Sequence, residues 1–110
     1  MKISELTPDI IGHWLGYIPE GVSASGQLLT DINIALSAAK ADAVSYTGRS
    51  LDELDNYEDC TIAILGLCND YLINNRPESA QEDMNRSSKS ILDKYSKNLL
   101  GGVSIAQNSL

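Results

Sequence analysis

The apolar positions of this chain recur at steps of three and four residues, which is the spacing of one face of an α-helix. The longest such segment extends from about residue 27 to residue 47. Gly48 follows it directly and predicts a left-handed cap that ends the helix. The apolar face of this predicted helix consists of Leu28, Ile32, Leu36, Ala39, Ala43 and Tyr46.

Two other helices are predicted from their start and stop signals. Thr7-Pro8-Asp9 combines a capping hydroxyl, a proline at the first helical position and an acid in the first turn, and Gly16 ends this short first helix. The third helix is predicted from about residue 57 to 75, where Arg76-Pro77 stops it. Its apolar face is expected to form the centre of the core and consists of Ile62, Leu65, Cys68 or Asn69, and Leu72, widened by Ile64, Leu67 and Tyr71.

A fourth helix is predicted from a cap at Asn85 to about residue 100, where Gly101-Gly102 ends it. Ser50 is also placed to cap a short turn over residues 51–54. No segment combines the alternating period and the β-branched content of a strand. The sequence therefore predicts an all-α fold, a small four-helix bundle with a short first helix and an extended C-terminal tail. Residues 1–100 form one helical domain in this interpretation, and residues 101–110 form the tail.

Composition adds that the core has little aromatic content. Aromatic residues make up 5% of the 110 residues and Phe is absent, so the core must consist of Leu, Ile, Val and Ala. A chain of this length buries only about two-thirds of its unfolded surface. Assembly with neighbouring subunits would supplement such a core.

The formal net charge of −7 argues against tight binding of nucleic acid, because binding of phosphates needs a basic patch. A DNA-binding helical domain would need a recognition helix with clustered basic and amide residues, and only the fourth helix comes near this. The acidic balance permits a surface past which DNA slides without specific binding. No apolar run of about 18 residues is present, so no membrane helix is expected. The first five residues also lack the apolar run of a signal peptide, and we expect a cytoplasmic protein.

Candidate chemistry is sparse in this sequence. His13 has no neighbouring nucleophile motif, and its apolar surroundings favour a hydrogen-bonded structural histidine over a general base. Cys60 and Cys68 lie roughly 12 Å apart along one helix, too far for a disulfide, and are expected to be buried thiols. We therefore expect no enzyme activity and no cofactor. An acidic group lacks the glycine and ligand spacing of a calcium loop and is expected to be solvated or to face another subunit; it consists of Asp52, Glu53, Asp55, Glu58 and Asp59.

The order of features along the chain resembles the phage head–tail connector (adaptor) family. The second helix ends in an aromatic–small–Gly–Arg turn, Tyr46 to Arg49. The third closes on Tyr71 and an Asn-Arg-Pro-Glu exit that ends at residue 78. The fourth carries a Leu-x-x-Tyr ending, Leu92 to Tyr95, and the opening Ile3-Ser4-Glu5-Leu6 also suits the family. The resemblance covers roughly residues 3–99, with Ser96 standing where family members often have Arg.

The resemblance implies a non-enzymatic virion protein of the phage neck, assembled in the host bacterial cytoplasm. Such a protein forms a ring of about twelve copies beneath the portal protein and binds a stopper or tail-completion protein on its other face. The ring extends the DNA channel, and DNA passes it without specific binding. A small helical regulatory or partner-binding module without a virion role is the alternative.

Two sets of residues are hypothesised to make these contacts. A ring closes through heterologous interfaces, so an acidic patch can meet a basic patch of the next subunit. The alternative is that both patches are solvated faces of one subunit. The tail could dock on the portal through Val103, Ile105 and Leu110, or it could be a frayed terminus. The hypothetical subunit interface consists of Arg49, Asp52, Asp55, Asp59, Arg86, Lys89 and Lys94.

Overall fold

The computed structural model describes residues 1–74 and 86–97, and within these ranges every regular element is helical. The prediction of an all-α fold is confirmed. The four predicted helices correspond to α1, α2, α4 and α5, and the short turn capped by Ser50 is α3. A single 3-10 turn, Ile3–Glu5, precedes them. The helices are α1 (Pro8–Trp14), α2 (Gly26–Thr47), α3 (Leu51–Leu54), α4 (Glu58–Asn74) and α5 (Arg86–Asp93).

Helix α1 begins as its capping signals predict. The Thr7 hydroxyl accepts a hydrogen bond from the backbone N–H of Ile10 at 3.3 Å. The carboxylate of Asp9 accepts a hydrogen bond from the N–H of Ala24 at 2.7 Å, which fixes the following loop against the helix start. Gly12 is buried where this loop returns, and a Cβ added there would lie 2.7 Å from the Ile18 side chain. A larger residue at position 12 would therefore require the Ile18 side chain to shift.

Helix α2 ends at the predicted glycine. Gly48 has a φ of 73° and donates its N–H to the carbonyl of Val44 at 2.9 Å, which is a left-handed C-terminal cap. The hydroxyl of the fully buried Thr47 donates to the carbonyl of Ala43 at 2.7 Å and accepts the N–H of Arg49 at 3.2 Å. Polar groups at this buried helix end are thus paired, as burial requires.

Helix α4 packs along both α2 and α5 and lies at the centre of the core, as predicted. A partly buried and a buried polar contact connect it to these neighbours. The Tyr71 hydroxyl donates to the Asp42 carboxylate of α2 at 2.5 Å, and the buried Ser88 hydroxyl of α5 donates to the Ala63 carbonyl at 2.8 Å. The fully buried side chains of α4 are Cys60, Ala63, Ile64, Leu67 and Cys68.

The predicted core face of α4 was partly wrong. Ile62, which was expected in the core, has 60% of its surface exposed. Trp14 of α1 also has 54% of its surface exposed. The face centred on Ile64 and Leu67 is the one that packs between α2 and α5. Apolar residues occupy both faces of α4, and the three-to-four spacing alone does not decide which face meets a neighbour.

Helix α5 ends earlier than the predicted position near residue 100. After Asp93 the backbone makes i→i+3 hydrogen bonds, from the N–H groups of Lys94, Tyr95 and Ser96 to the carbonyls of Ile91, Leu92 and Asp93. The guanidinium of Arg49 donates to the carbonyl of Tyr95. This long-range contact takes a carbonyl that a continuing helix would use within itself.

The predicted stop at Arg76-Pro77, the cap at Asn85 and the proposed tail, residues 101–110, lie outside the described residues. Within those that are described, no helix is long and apolar enough to cross a lipid bilayer.

Candidate interaction surface

A cluster of two tyrosines, a carboxylate and a lysine forms where the end of α5 meets the start of α4. The rings of Tyr57 and Tyr95 are stacked, with centroids 4.1 Å apart and an interplanar angle of 17°. The Tyr95 hydroxyl donates to Asp59 at 2.9 Å, and the Lys94 ammonium lies 2.6 Å from the same carboxylate. We call Tyr57, Asp59, Lys94 and Tyr95 the tyrosine cluster.

The electrostatics of the tyrosine cluster follow from these contacts. The hydrogen bond from Lys94 lowers the pKa of the Asp59 carboxyl below its ordinary value, and the Tyr95 hydroxyl acts in the same direction. The hydrogen bond to Asp59 raises the pKa of both Lys94 and Tyr95. Asp59 is therefore ionised and Lys94 charged at neutral pH, and the two form an ion pair within the cluster.

The turn after α2 is fixed beside this cluster by Arg49. Its guanidinium donates to the Tyr95 carbonyl and lies 3.5 Å from the Glu53 carboxylate, while Lys97 approaches that carboxylate to 3.4 Å. The pKa of Glu53 is lowered, mainly because its carboxylate accepts the backbone N–H of Ser50. The acidic stretch and the end of α5 are therefore joined within one chain.

The residues hypothesised to form the subunit interface divide into two groups. Arg49, Asp55, Asp59 and Lys94 have partners inside the chain; Asp55 accepts the N–H of Ile3 at 2.6 Å. Asp52, Arg86 and Lys89 are exposed to solvent. Contact with a neighbouring subunit stays a prediction for all seven residues, and Asp52, Arg86 and Lys89 are those whose substitution breaks none of the contacts described above.

An open groove lies next to the tyrosine cluster and was not predicted from the sequence. It has a volume of about 670 Å³ and apolar side chains form much of its wall. The Thr61 hydroxyl donates to the Met1 carbonyl at 2.7 Å and holds the N-terminal residue at the wall. The side chains that form the groove include Met1, Trp14, Tyr57, Ile62 and Tyr95, with Glu58 and Asp59 also lining it.

The signal for this groove was present in the sequence but ambiguous. Ile62 was predicted to lie on the core face of its helix because it fits the helical spacing, and no core position was predicted for Trp14. Both side chains are more than half exposed and line the same groove. An exposed tryptophan beside an exposed isoleucine is typical of a surface that binds another protein segment.

The histidine and the two cysteines that were considered for chemistry have contacts or burial typical of structural residues. The Nε2 atom of His13 lies 2.7 Å from the carbonyl oxygen of Val22. Cys60 and Cys68 are buried free thiols, as predicted. Burial raises the pKa of Cys60 to about 11 and that of Cys68 to about 12, so neither is a thiolate at neutral pH. Across residues 1–74 and 86–97, no three His, Cys, Asp or Glu side chains are grouped to hold a metal ion.

Comparisons of the chain with protein-family models, with curated proteins and with solved structures give no match. The likeness to phage connectors stays a resemblance based on the motifs quoted above. The docking residues Val103, Ile105 and Leu110 lie outside the described part of the chain.

Proposed function

We propose that this chain is a structural virion protein, a head–tail connector (adaptor) subunit. In this role it forms an oligomeric ring between the portal and the tail or stopper protein and extends the DNA channel. The ring assembles in the cytoplasm of the bacterial host and resides in the virion neck. The function is one of binding, not of catalysis.

The observation that carries the proposal is the meeting of two motifs on which the resemblance rests. The turn from Tyr46 to Arg49 and the ending around Tyr95 are far apart in sequence. Arg49 donates to the Tyr95 carbonyl, and the Tyr46 hydroxyl donates to the Asp93 carboxylate. The Ser96 hydroxyl donates to the Tyr46 carbonyl at 3.3 Å. Motifs that form one corner of the fold support a shared architecture better than isolated helix caps would.

One departure from the family pattern has a structural counterpart. Ser96 stands where family members often have Arg, and its side chain is buried against the end of α2. An arginine at this buried position would have to displace that contact or point elsewhere. Any portal or subunit contact that the family makes through this arginine is therefore not expected in this protein.

Light scattering after size-exclusion chromatography tests the proposal, with and without the portal from the same phage. We expect a mass increase that matches about twelve added copies. Deletion of residues 102–110 is expected to abolish portal binding and to leave the helical far-UV signal unchanged. If the mass of the portal does not increase when this protein is added, the adaptor role is rejected.

A small helical partner-binding module without a virion role is the second candidate. The exposed groove at Trp14 and Ile62 favours it, because such a groove serves partners of many kinds. This candidate predicts a monomer or a dimer that does not associate with portal. The same light-scattering measurement therefore distinguishes the two functions.

A further inference from the structure

The groove beside the tyrosine cluster leaves apolar side chains in contact with water, which is unfavourable. Ile62 exposes 60% of its surface and Trp14 exposes 54%, and both line this one groove. Burial of apolar side chains is the main source of binding free energy between protein segments. A segment that fills the groove must therefore be largely apolar and must bring no negatively charged side chain against Glu58 and Asp59.

The C-terminal sequence of this chain has that composition. Residues 98–110 contain no Lys, Arg, Asp or Glu. The acidic side chains at the groove therefore oppose no like-charged side chain of this segment. Its large aliphatic residues are Leu99, Leu100, Val103, Ile105 and Leu110.

The described part of the chain ends at the groove itself. Tyr95 lines the groove, and Lys97 is the last described residue, two positions later. Arg49 holds the Tyr95 carbonyl and Lys97 pairs with Glu53, so the C-terminal segment departs from a fixed point. Thirteen residues reach up to roughly 43 Å when extended. A segment tethered so close has an effective concentration in roughly the millimolar range at the groove.

We infer that residues 98–110 bind in the groove of their own subunit and cover Trp14 and Ile62. Val103 and Ile105 are the apolar residues of this segment that the test below alters. The inference does not depend on the virion role. Under that role, portal binding through the same residues would require the segment to leave the groove.

Trp14 is the only tryptophan, and its fluorescence reports on the groove directly. The test compares acrylamide quenching of Trp14 in the full chain with that in the double variant Val103→Asp, Ile105→Asp. The matched control is Ser104→Asp with Gln107→Asp, which adds the same charge at polar positions. The quenching constant should rise about twofold in the first variant, because loss of its apolar anchors opens the groove. It should stay unchanged in the control.

A second pair of variants tests the other side of the contact. Ile62→Ser should raise the quenching of Trp14, whereas Ile34→Ser, which alters an exposed isoleucine of α2 outside the groove, should not. Far-UV circular dichroism monitors the helical fold of every variant. Equal quenching in the wild type and the Val103/Ile105 variant would overturn the inference, and so would an equal rise in the control.

Protein concentration distinguishes the subunit's own segment from that of a second copy. Quenching of the wild type should not change over a hundredfold dilution at protein concentrations in the micromolar range. Quenching that rises on dilution would overturn the inference, because the groove would then be filled by another subunit. Since no portal is present, failure here is separate from failure of the adaptor proposal.

Discussion

Among the single residues of the tyrosine cluster, Asp59 connects α4 to the end of α5. Its carboxylate receives the Lys94 ammonium at 2.6 Å and the Tyr95 hydroxyl at 2.9 Å. Both donors lie beyond the last residue of α5, where the backbone has left the helix. Because Lys94 is largely exposed, the ion pair by itself contributes little, and the hydrogen-bonded tyrosine stack supplies the geometry.

Asp59→Asn should reduce the free energy of unfolding in a way that depends on pH. The pKa of Asp59 is lower in the folded than in the unfolded chain, so its contribution is full above the unfolded pKa and is lost as the pH falls through the folded pKa. The difference between wild type and Asp59→Asn should therefore be constant above about pH 5 and should shrink towards pH 2. Urea unfolding at a series of pH values measures it.

Asp52→Asn is the control for this series, because Asp52 is an exposed carboxylate of the same acidic stretch. Its difference from wild type should stay small at every pH. A difference between wild type and Asp59→Asn that does not change from pH 7 to pH 2 would contradict the assigned role of Asp59.

The helices show which features a sequence can predict and which it cannot. The starts of α1 and α3 and the end of α2 were predicted because capping depends on side chains within a few residues of the helix end. The end of α5 was not predicted, and the contact formed just beyond it joins Arg49 and Tyr95, which are distant in sequence. The exposure of Ile62 was not predicted for a related reason, because helical spacing identifies an apolar face but not the element that packs against it.

The predicted interface residues illustrate the same limit. Grouping by charge identified an acidic stretch and a basic group, and the structure brings Asp59 and Lys94 of these groups together. Sequence alone could not show that the pair forms within one subunit. No local pattern indicated that the end of α5 would lie beside the turn after α2.

At the end of α2, Gly48→Ala should lower the free energy of unfolding by about 1 kcal/mol, because Gly48 has a left-handed backbone in which Cβ is crowded. Gly48→Asn should cost less, since asparagine tolerates this conformation better. Ser37→Ala, at an exposed position within the same helix, should change it by less than about 0.5 kcal/mol. Chemical denaturation measures all three, and equal effects of alanine at positions 48 and 37 would contradict the cap.

At the scale of the whole molecule, the proposed ring requires contacts between one subunit and the next. Reversal of charge at Asp55 or Asp59 is a poor test of such contacts, because it also breaks the bond to Ile3 or the pair with Lys94. Asp52 and Lys89 are better positions, since both are exposed.

Under the proposed adaptor role, Asp52→Lys should reduce assembly on the portal and leave the free energy of unfolding within about 0.5 kcal/mol of the wild type. If Asp52 meets Lys89 of the next subunit, Asp52→Lys combined with Lys89→Glu should restore assembly, because the charges are exchanged and not removed. Light scattering with portal gives the assembled mass. Full assembly of the single variant would reject this acidic–basic interface.

The contact between Arg49 and Tyr95 has a consequence for how related sequences would diverge. Arg49 recognises a backbone carbonyl, which every residue type offers, so the side chain at position 95 can change without loss of that bond. Tyr46 with Asp93 and Asp59 with Lys94 join side chain to side chain. Correlated substitutions between relatives are therefore expected at positions 46 and 93 and at positions 59 and 94, whereas positions 49 and 95 should vary independently.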